Sequence, residues 1–493
     1  MNSKLRVSWR SALGQSRIVF VLASVALLVP CYWQSRVQAG DLASHLYNAW
    51  LAELVDSGRA PGLRIAWQTT NVLFDLILGA LFRSLGAGPA ERIAVGLAVL
   101  VFAWGAFAFV SAVAGRRAWE LLPCIAMLAY GWVFHIGFFN FYLGLGLSFS
   151  ALALTWNGAP ARMVFAAPIL ALAWLAHALP VAWAIALVAF SWLWRRLPSR
   201  LRPAALLTAI ALLGLASVVI SHTLVSSWTA GQAVLITGAD QLRVFDRKYE
   251  ALAFALIALW LILIVTRTRS EGIRAALSRL EPQLWILCAA GVLIVPGMIL
   301  PRGYGHALVY ITERMSLTAA VLTCAVVASP RPSRFGSAFA LIAVVFFTFL
   351  YRDERILNRF EDQLDEIVAQ LPPDQRVILG VRDPTLRVNA LAHMIDRACI
   401  GRCYSYANYE PSTRQFRIRV EGPNPIVAST YQASSAMQRG GYLVQASDLP
   451  LYQVGLEPNG KLGVRSLQAG ERSGMTLLDL HGNEGVLFEA ESP

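Results

Sequence analysis

The stretch Asn71–Gly86, NVLFDLILGALFRSLG, decides how this 493-residue chain is threaded. If it crosses a membrane, every later loop changes side. Its sixteen residues would reach only about 24 Å as a helix, short of the roughly 30 Å of hydrocarbon in a bilayer. Crossing would also carry Asp75 and Arg83 into or near that layer, at about 2.5–3.5 kcal/mol for each charge near a helix centre. An amphipathic helix lying flat in the interface avoids both costs. The stretch is therefore expected to rest along the membrane surface.

The rest of the chain supplies the membrane context. Hydrophobic residues make up 56% and charged residues 15%, well away from the balance of a soluble domain. Apolar runs lie at 18–34, 93–114, 119–137, 140–157, 161–177, 180–195, 203–224, 249–266, 283–300, 308–328 and 335–351. The net charge of +12 sits in short clusters between these runs, not in a patch or tail, so it speaks of membrane topology and not of nucleic acid. Lysine occurs only as Lys4, Lys248 and Lys461, an arginine bias that reads as a GC-rich bacterial genome.

With the N-terminus inside and 71–86 lying flat, one side collects Lys4, Arg6, Arg10 and Arg17, then Arg116–Arg117, Arg162, Arg195–Arg202, Arg267–Arg279 and Arg331–Arg334. The short turns on the other side hold Arg243, Arg247, Lys248, Arg302 and Arg314, and the long first loop holds Arg36, Arg59, Arg64, Arg83 and Arg92. A spanning 71–86 would send the densest later clusters outside, against the positive-inside bias. The start of the chain imitates a secretory signal with "VQA" before Gly40, but the bulky Cys31–Trp33 and Arg36 near that point favour an uncleaved anchor.

The fold expectation is an α-helical polytopic membrane protein of about eleven spans. Its transmembrane domain covers 1–352, including a first outer loop at 35–92 with two surface helices. Residues 353–493 carry mixed charge and no membrane-length run, and form a small soluble α/β domain on the outer, periplasmic side. There "DERILNRFEDQLDEIVAQL" has helical periodicity, and "QRVILGVR" and "PIVAST" read as strands. Cys399 and Cys403, in "CIGRC", are expected to pair in an oxidising compartment, for roughly 2 kcal/mol. A zinc site lacks a second Cys/His pair nearby. Cys31, Cys124, Cys288 and Cys324 read as membrane packing residues.

Polar residues collect on the outer face. Asp41 and His45, in "GDLASHLYNAW", are one helical turn apart and share a face. Helix capping would account for a lone aspartate there. His135 and Asn140 flank "HIGFFNFYLG", His177 lies in "LAHALP", His222 in "ISHTL", and His306, Glu313 and Arg314 in "GYGHALVYITERMS". Ionisable groups near a bilayer are costly and often mark a site or pathway; singly, each histidine reads more readily as a packing or interfacial residue than as a catalyst.

A basic N-terminus, one span, and an outer loop of two surface helices opened by the acid of "GDLASHLYNAW" resemble the GT-C superfamily of membrane glycosyltransferases. That superfamily includes protein O-mannosyltransferases, aminoarabinose transferases of lipid A and oligosaccharyltransferase subunits. The resemblance covers roughly residues 1–115 and the order of later spans. It implies transfer of a sugar from a polyprenyl-phosphate carrier to a glycan, lipid or protein acceptor at the outer face of a bacterial inner membrane, with inversion. Asp41 is then the expected general base, with His45 orienting it or binding acceptor. Arg314 is the preferred group for the leaving phosphate, followed by Arg92, Arg302 and the Arg247/Lys248 pair. His135, Asn140, His177, His222, His306 and Glu313 complete the expected substrate-binding set. The first loop lacks the adjacent acidic pair or D-x-D of several members, so no cofactor is assigned, and a divalent metal stays open without support from the sequence. The competing readings are a transporter, whose site would sit at mid-bilayer in repeated halves, and an envelope-glycan ligase or polymerase. No phosphate-binding glycine loop or dinucleotide fingerprint occurs.

Overall fold

The computed structural model describes residues 17–158, 160–328, 335–457 and 460–480. The basic residues Lys4, Arg6, Arg10, Arg331 and Arg334 lie outside them. The chain is built mainly of helices: α1 (Arg17–Cys31), α2 (Leu42–Asp56), α3 (Leu73–Leu85), α4 (Ala87–Ala114), α5 (Trp119–Ile136, interrupted at Tyr130–Gly131), α6 (Phe139–Thr155), α7 (Pro160–Ala176), α8 (Ala178–Arg196), α9 (Arg202–Thr223), α10 (Lys248–Glu271), α11 (Leu280–Ile294), α12 (Ile311–Val327) and α13 (Gly336–Val368).

Among the described residues six helices are long and apolar enough to cross a membrane, and α1, α6, α7 and α11 are shorter apolar helices. The α9 segment gives the plainest case, since only 6% of its apolar window is buried and Leu207, Leu212 and Leu215 are each at least 60% exposed. A helix apolar all round and unburied by protein needs lipid around it.

Asn71–Gly86 becomes α3, thirteen residues long and so about 20 Å. It is not among the membrane-length helices. Its inner face is Phe74, Leu78, Gly79 and Phe82, and Asp75 opens its first turn. The expected span at 283–300 is shorter than expected: α11 stops at Ile294, two residues before Pro296, and Met298–Leu300 pairs antiparallel with Val225–Ser227. Proline cannot supply the N–H that would continue the helix.

The segment after the last apolar run is welded to the first loop. The boundary expected at 352/353 falls inside α13, which is one continuous helix. Beyond it lies a four-stranded sheet in the order Tyr404–Ser405, Arg376–Leu379, Leu451–Leu456, Leu462–Leu467. The first two pairings are parallel and the last is antiparallel. "QRVILGVR" supplies strands as expected, but "PIVAST" does not. There Asn424 Oδ1 accepts from the Ile426 and Val427 amides at 3.0 and 2.8 Å, which removes those N–H groups from any ladder.

Helix α2, expected on the surface, is buried on nearly every side. Ser405 N donates to Tyr47 Oη at 3.1 Å, and Asn408 Nδ2 to Asn48 Oδ1 at 2.8 Å. Leu63–Ile65 of the first loop pairs antiparallel with Ile418–Val420. Arg397 reaches Glu361 at 3.2 Å, Glu91 at 3.5 Å and the Val37 carbonyl at 3.1 Å. The lobe therefore roofs the first loop.

Candidate functional site

Asp41 stands immediately before α2, yet its side chain makes no capping hydrogen bond. The carboxylate faces His393 of the C-terminal lobe, with Oδ1 3.8 Å from Nε2. Its backbone is clamped, because Gly40 N donates to the His135 carbonyl at 2.7 Å and Asp41 N to the Ile136 carbonyl at 3.0 Å. This approach depends on Gly137, whose φ is +94° and whose added Cβ would lie 2.5 Å from Asp41 N.

Other elements bring Arg314, His306 and Tyr409 within electrostatic reach of the carboxylate. Arg314, in the first turn of α12, lies with its guanidinium 3.7 Å over the Phe138 ring and Nη1 3.5 Å from His177 Nε2. Its Nε is buried with no hydrogen-bond partner. Asp41 is the acid that attracts it most strongly. His306 stacks on Tyr409, with ring centroids 5.5 Å apart, and meets Tyr431 edge-on at 5.4 Å. Burial lowers the His306 pKa below its ordinary value, opposed by Asp41 and assisted by Arg314. A carboxylate, a guanidinium with a free donor and aromatic walls thus meet in one place.

Beside them lies a second cluster. His45, expected to orient Asp41 or to bind acceptor, has its ring on another acid. Its Nδ1 lies 2.6 Å from Asp75 Oδ1, because α3 packs across α2 there. Asn140 Nδ2 donates to Asp75 Oδ2 at 2.7 Å, and its Oδ1 accepts from Phe74 N at 2.8 Å. Burial works against a charged His45, but Asp75, with Glu410 and Asp41 adding to it, outweighs burial and the pKa rises to about 9. Burial likewise works against the Asp75 carboxylate, but His45 and Asn140 bring it below its ordinary value. Glu410, only 8% exposed, has no hydrogen-bond partner for its carboxylate among the described residues. Burial, with Asp75 and Asp41 adding to it and His45 opposing, pushes its pKa up to about 7. It faces a polar cavity of about 30 Å³ shared with His45, Asp75, Asn140 and Arg417, roomy enough for a water molecule.

Other expected site residues are employed elsewhere. Arg92 donates to the Gln34 and Ser35 carbonyls, at 3.2 and 2.7 Å, clamping the chain as it leaves α1. His135 is fully buried and its Nε2 lies 3.2 Å from Glu354; only its backbone carbonyl serves Gly40. Lys248 is held by Asp246 and Asp353 at 2.8 and 2.6 Å. His222 and Arg302 are exposed, and no bond or ring contact joins either to the Asp41 cluster among the described residues. Glu313 accepts from Thr312 Oγ1 at 3.0 Å and also acts on Arg314. Cys399 and Cys403 form a disulfide, and Cys31, Cys124, Cys288 and Cys324 are buried free thiols. Among the described residues no group of three or more His, Cys, Asp or Glu side chains is arranged to hold a metal ion.

Comparison with family models, curated proteins and solved structures finds no match to this chain.

His393, Tyr409 and Glu410 escaped the sequence reading because they reach the site from more than three hundred residues beyond Asp41. One signal was present. His393 and Asp396 are three apart in "LAHMIDRA", helical spacing for a His–Asp pair, and they do bond at 2.9 Å. Asp75 was visible only as an obstacle to spanning, and it proves to be a partner.

Proposed function

We propose that the chain is a membrane glycosyltransferase of GT-C type. It moves a sugar from a polyprenyl-phosphate carrier to an acceptor at the periplasmic face of a bacterial inner membrane, with Asp41 as general base. The observation that carries this reading is the state of Asp41: an uncapped carboxylate next to a histidine and a guanidinium that has a buried, unpartnered donor. A structural aspartate at this position would satisfy the helix end.

The chemistry follows from the groups. An acceptor hydroxyl attacks the anomeric carbon while its proton passes to Asp41, a contribution of about 10²- to 10⁴-fold for a positioned base. The bond from the anomeric carbon to the phosphate oxygen breaks on the opposite side, and its electron pair leaves with the polyprenyl phosphate. Arg314 meets that charge with its free Nε–H, and the N-terminus of α12 favours an anion at the same spot. The rings of Tyr409, Tyr431 and His306 supply flat walls of the kind that bind a sugar face. A lipid-borne donor arrives at headgroup depth, which is where apolar helices meet a polar cluster.

The test uses the full-length protein in lipid nanodiscs with undecaprenyl-phosphate glucose, mannose and arabinose, each with a cell-envelope extract as acceptor source. Release of free undecaprenyl phosphate is expected with one of them, and Asp41→Asn should slow it by about 10²-fold or more. Uptake of the sugar lipid without cleavage would favour a transporter, and undiminished release by the Asn variant would remove Asp41 from the chemistry.

A further inference from the structure

We infer that His393, carried by the C-terminal lobe, is the positioning residue of Asp41, so that the lobe completes the site instead of merely covering it. This rests on the reading of Asp41 as the base, but the contact itself can be tested without it.

The geometry is a closed circuit. His393 Nδ1 lies 2.9 Å from Asp396 Oδ2, which fixes the ring and aims Nε2 at Asp41. The other Asp396 oxygen accepts from Ser405 Oγ. Ser405 N in turn donates to Tyr47 Oη at 3.1 Å, and Tyr47 belongs to α2, the helix that Asp41 opens. The circuit therefore runs from Asp41 along its own helix, across to the lobe and back. Tyr47–Ser405, Ser405–Asp396 and Asp396–His393 are hydrogen bonds between buried groups, and the closing contact of His393 with Asp41, at 3.8 Å, is at ion-pair distance. Such contacts commonly tighten when substrate binds.

A simple brace for the short helix Met394–Ala398 would need only the Asp396 bond. It would leave Nε2 pointing anywhere, whereas here it faces the one carboxylate that α2 leaves uncapped. The side chain is only 7% exposed, so water is a poor substitute partner. The charged groups around the ring come from three elements: Asp396 from its own helix, Asp41 from the first loop, and Glu410 from Tyr409–Thr413. Burial disfavours the imidazolium, but these three acids together raise its pKa above the ordinary value. A cationic His393 would hold the Asp41 carboxylate in one orientation, facing the acceptor hydroxyl.

The decisive experiment labels the histidines of the full-length protein in nanodiscs and follows His393 by NMR, with its resonance assigned from His393→Gln. In Asp41→Asn the titration midpoint of His393 should fall by at least about half a pH unit, a severalfold loss of proton affinity; an unmoved midpoint would overturn the contact. In the carrier-release assay His393→Gln should lower kcat about tenfold or more with the donor KM within about threefold. Combined with Asp41→Asn, it should cost little beyond the single change, as groups acting as a unit do. Retained kcat, or losses that multiply, would refute the positioning role. Should His393→Gln not accumulate, Asp396→Asn frees the ring without removing it and carries the same expectations. Absence of any carrier release by the parent protein would sink the glycosyltransferase reading and leave the NMR result to judge the contact.

Discussion

Replacing Asp75 with asparagine removes the charge that holds α3 against α2, and the consequence can be worked from the structure. The His45 and Asp75 side chains are 14% and 22% exposed and 2.6 Å apart. His45 is raised from 6.5 to about 9. Each tenfold change in proton affinity is worth about 1.4 kcal/mol, so the acids around His45, Asp75 first among them, favour the folded, charged state by roughly 3 kcal/mol net of burial, in line with breaking a buried ion pair. The sign follows from linkage. Because the folded His45 pKa lies above its ordinary value, its contribution is complete below about pH 6.5 and is lost as the pH rises through about 9. Asp75 lies below its ordinary value, so its contribution is present above the ordinary carboxylate range and lost in acid. In Asp75→Asn the His45 midpoint should therefore drop from about 9 towards 6.5 in a histidine NMR titration. The melting temperature should fall below that of the parent protein by much more at pH 6 than at pH 9.5. A midpoint still near 9, or an equal gap at both pH values, would refute the pairing as the source of the shift.

Two other outcomes follow from the same geometry. Arg314→Gln should reduce carrier release about tenfold to a hundredfold, the loss of one charge-assisted hydrogen bond, and Arg314→Lys should recover only part of it because lysine has no donor at the Nε position; full recovery by lysine would show that charge alone matters. A cysteine placed at the exposed Ser447 of the lobe should react with a membrane-impermeant maleimide in intact spheroplasts, against a background of native cysteines that are buried or disulfide-bonded. Labelling only after permeabilisation would put the lobe in the cytosol.

Local pattern was enough to read the apolar helices. The run at 203–224 is α9 at 202–223, and that at 140–157 is α6 at 139–155, because apolar stretches with no charge, and no proline beyond the first turn where Pro203 is tolerated, have little else to become. The same pattern failed at Val295–Leu300, where Pro296 ends the helix and a strand begins. It failed again at "PIVAST", where one asparagine side chain captures the amides a strand would need. Asp41, Asn140, His177, His306 and Arg314 were legible as site candidates because each is a polar residue at the end of an apolar segment. His135 and Arg92 share that signature and turned out to be braces, since position along the chain does not reveal which partner a side chain meets. The pairing of His45 with Asp75, and the arrival of His393, Tyr409 and Glu410, depend on how α3 and the lobe fold back over α2. That is a property of tertiary packing, with no periodicity to announce it.

A structure of the full-length protein with an undecaprenyl-phosphate sugar bound bears most directly on the proposed chemistry. The phosphate should lie against Arg314, with the Asp41 carboxylate across the anomeric carbon from it and the His393 ring behind that carboxylate. A phosphate bound away from Arg314, with Asp41 walled off from the sugar by protein, would contradict the assignment.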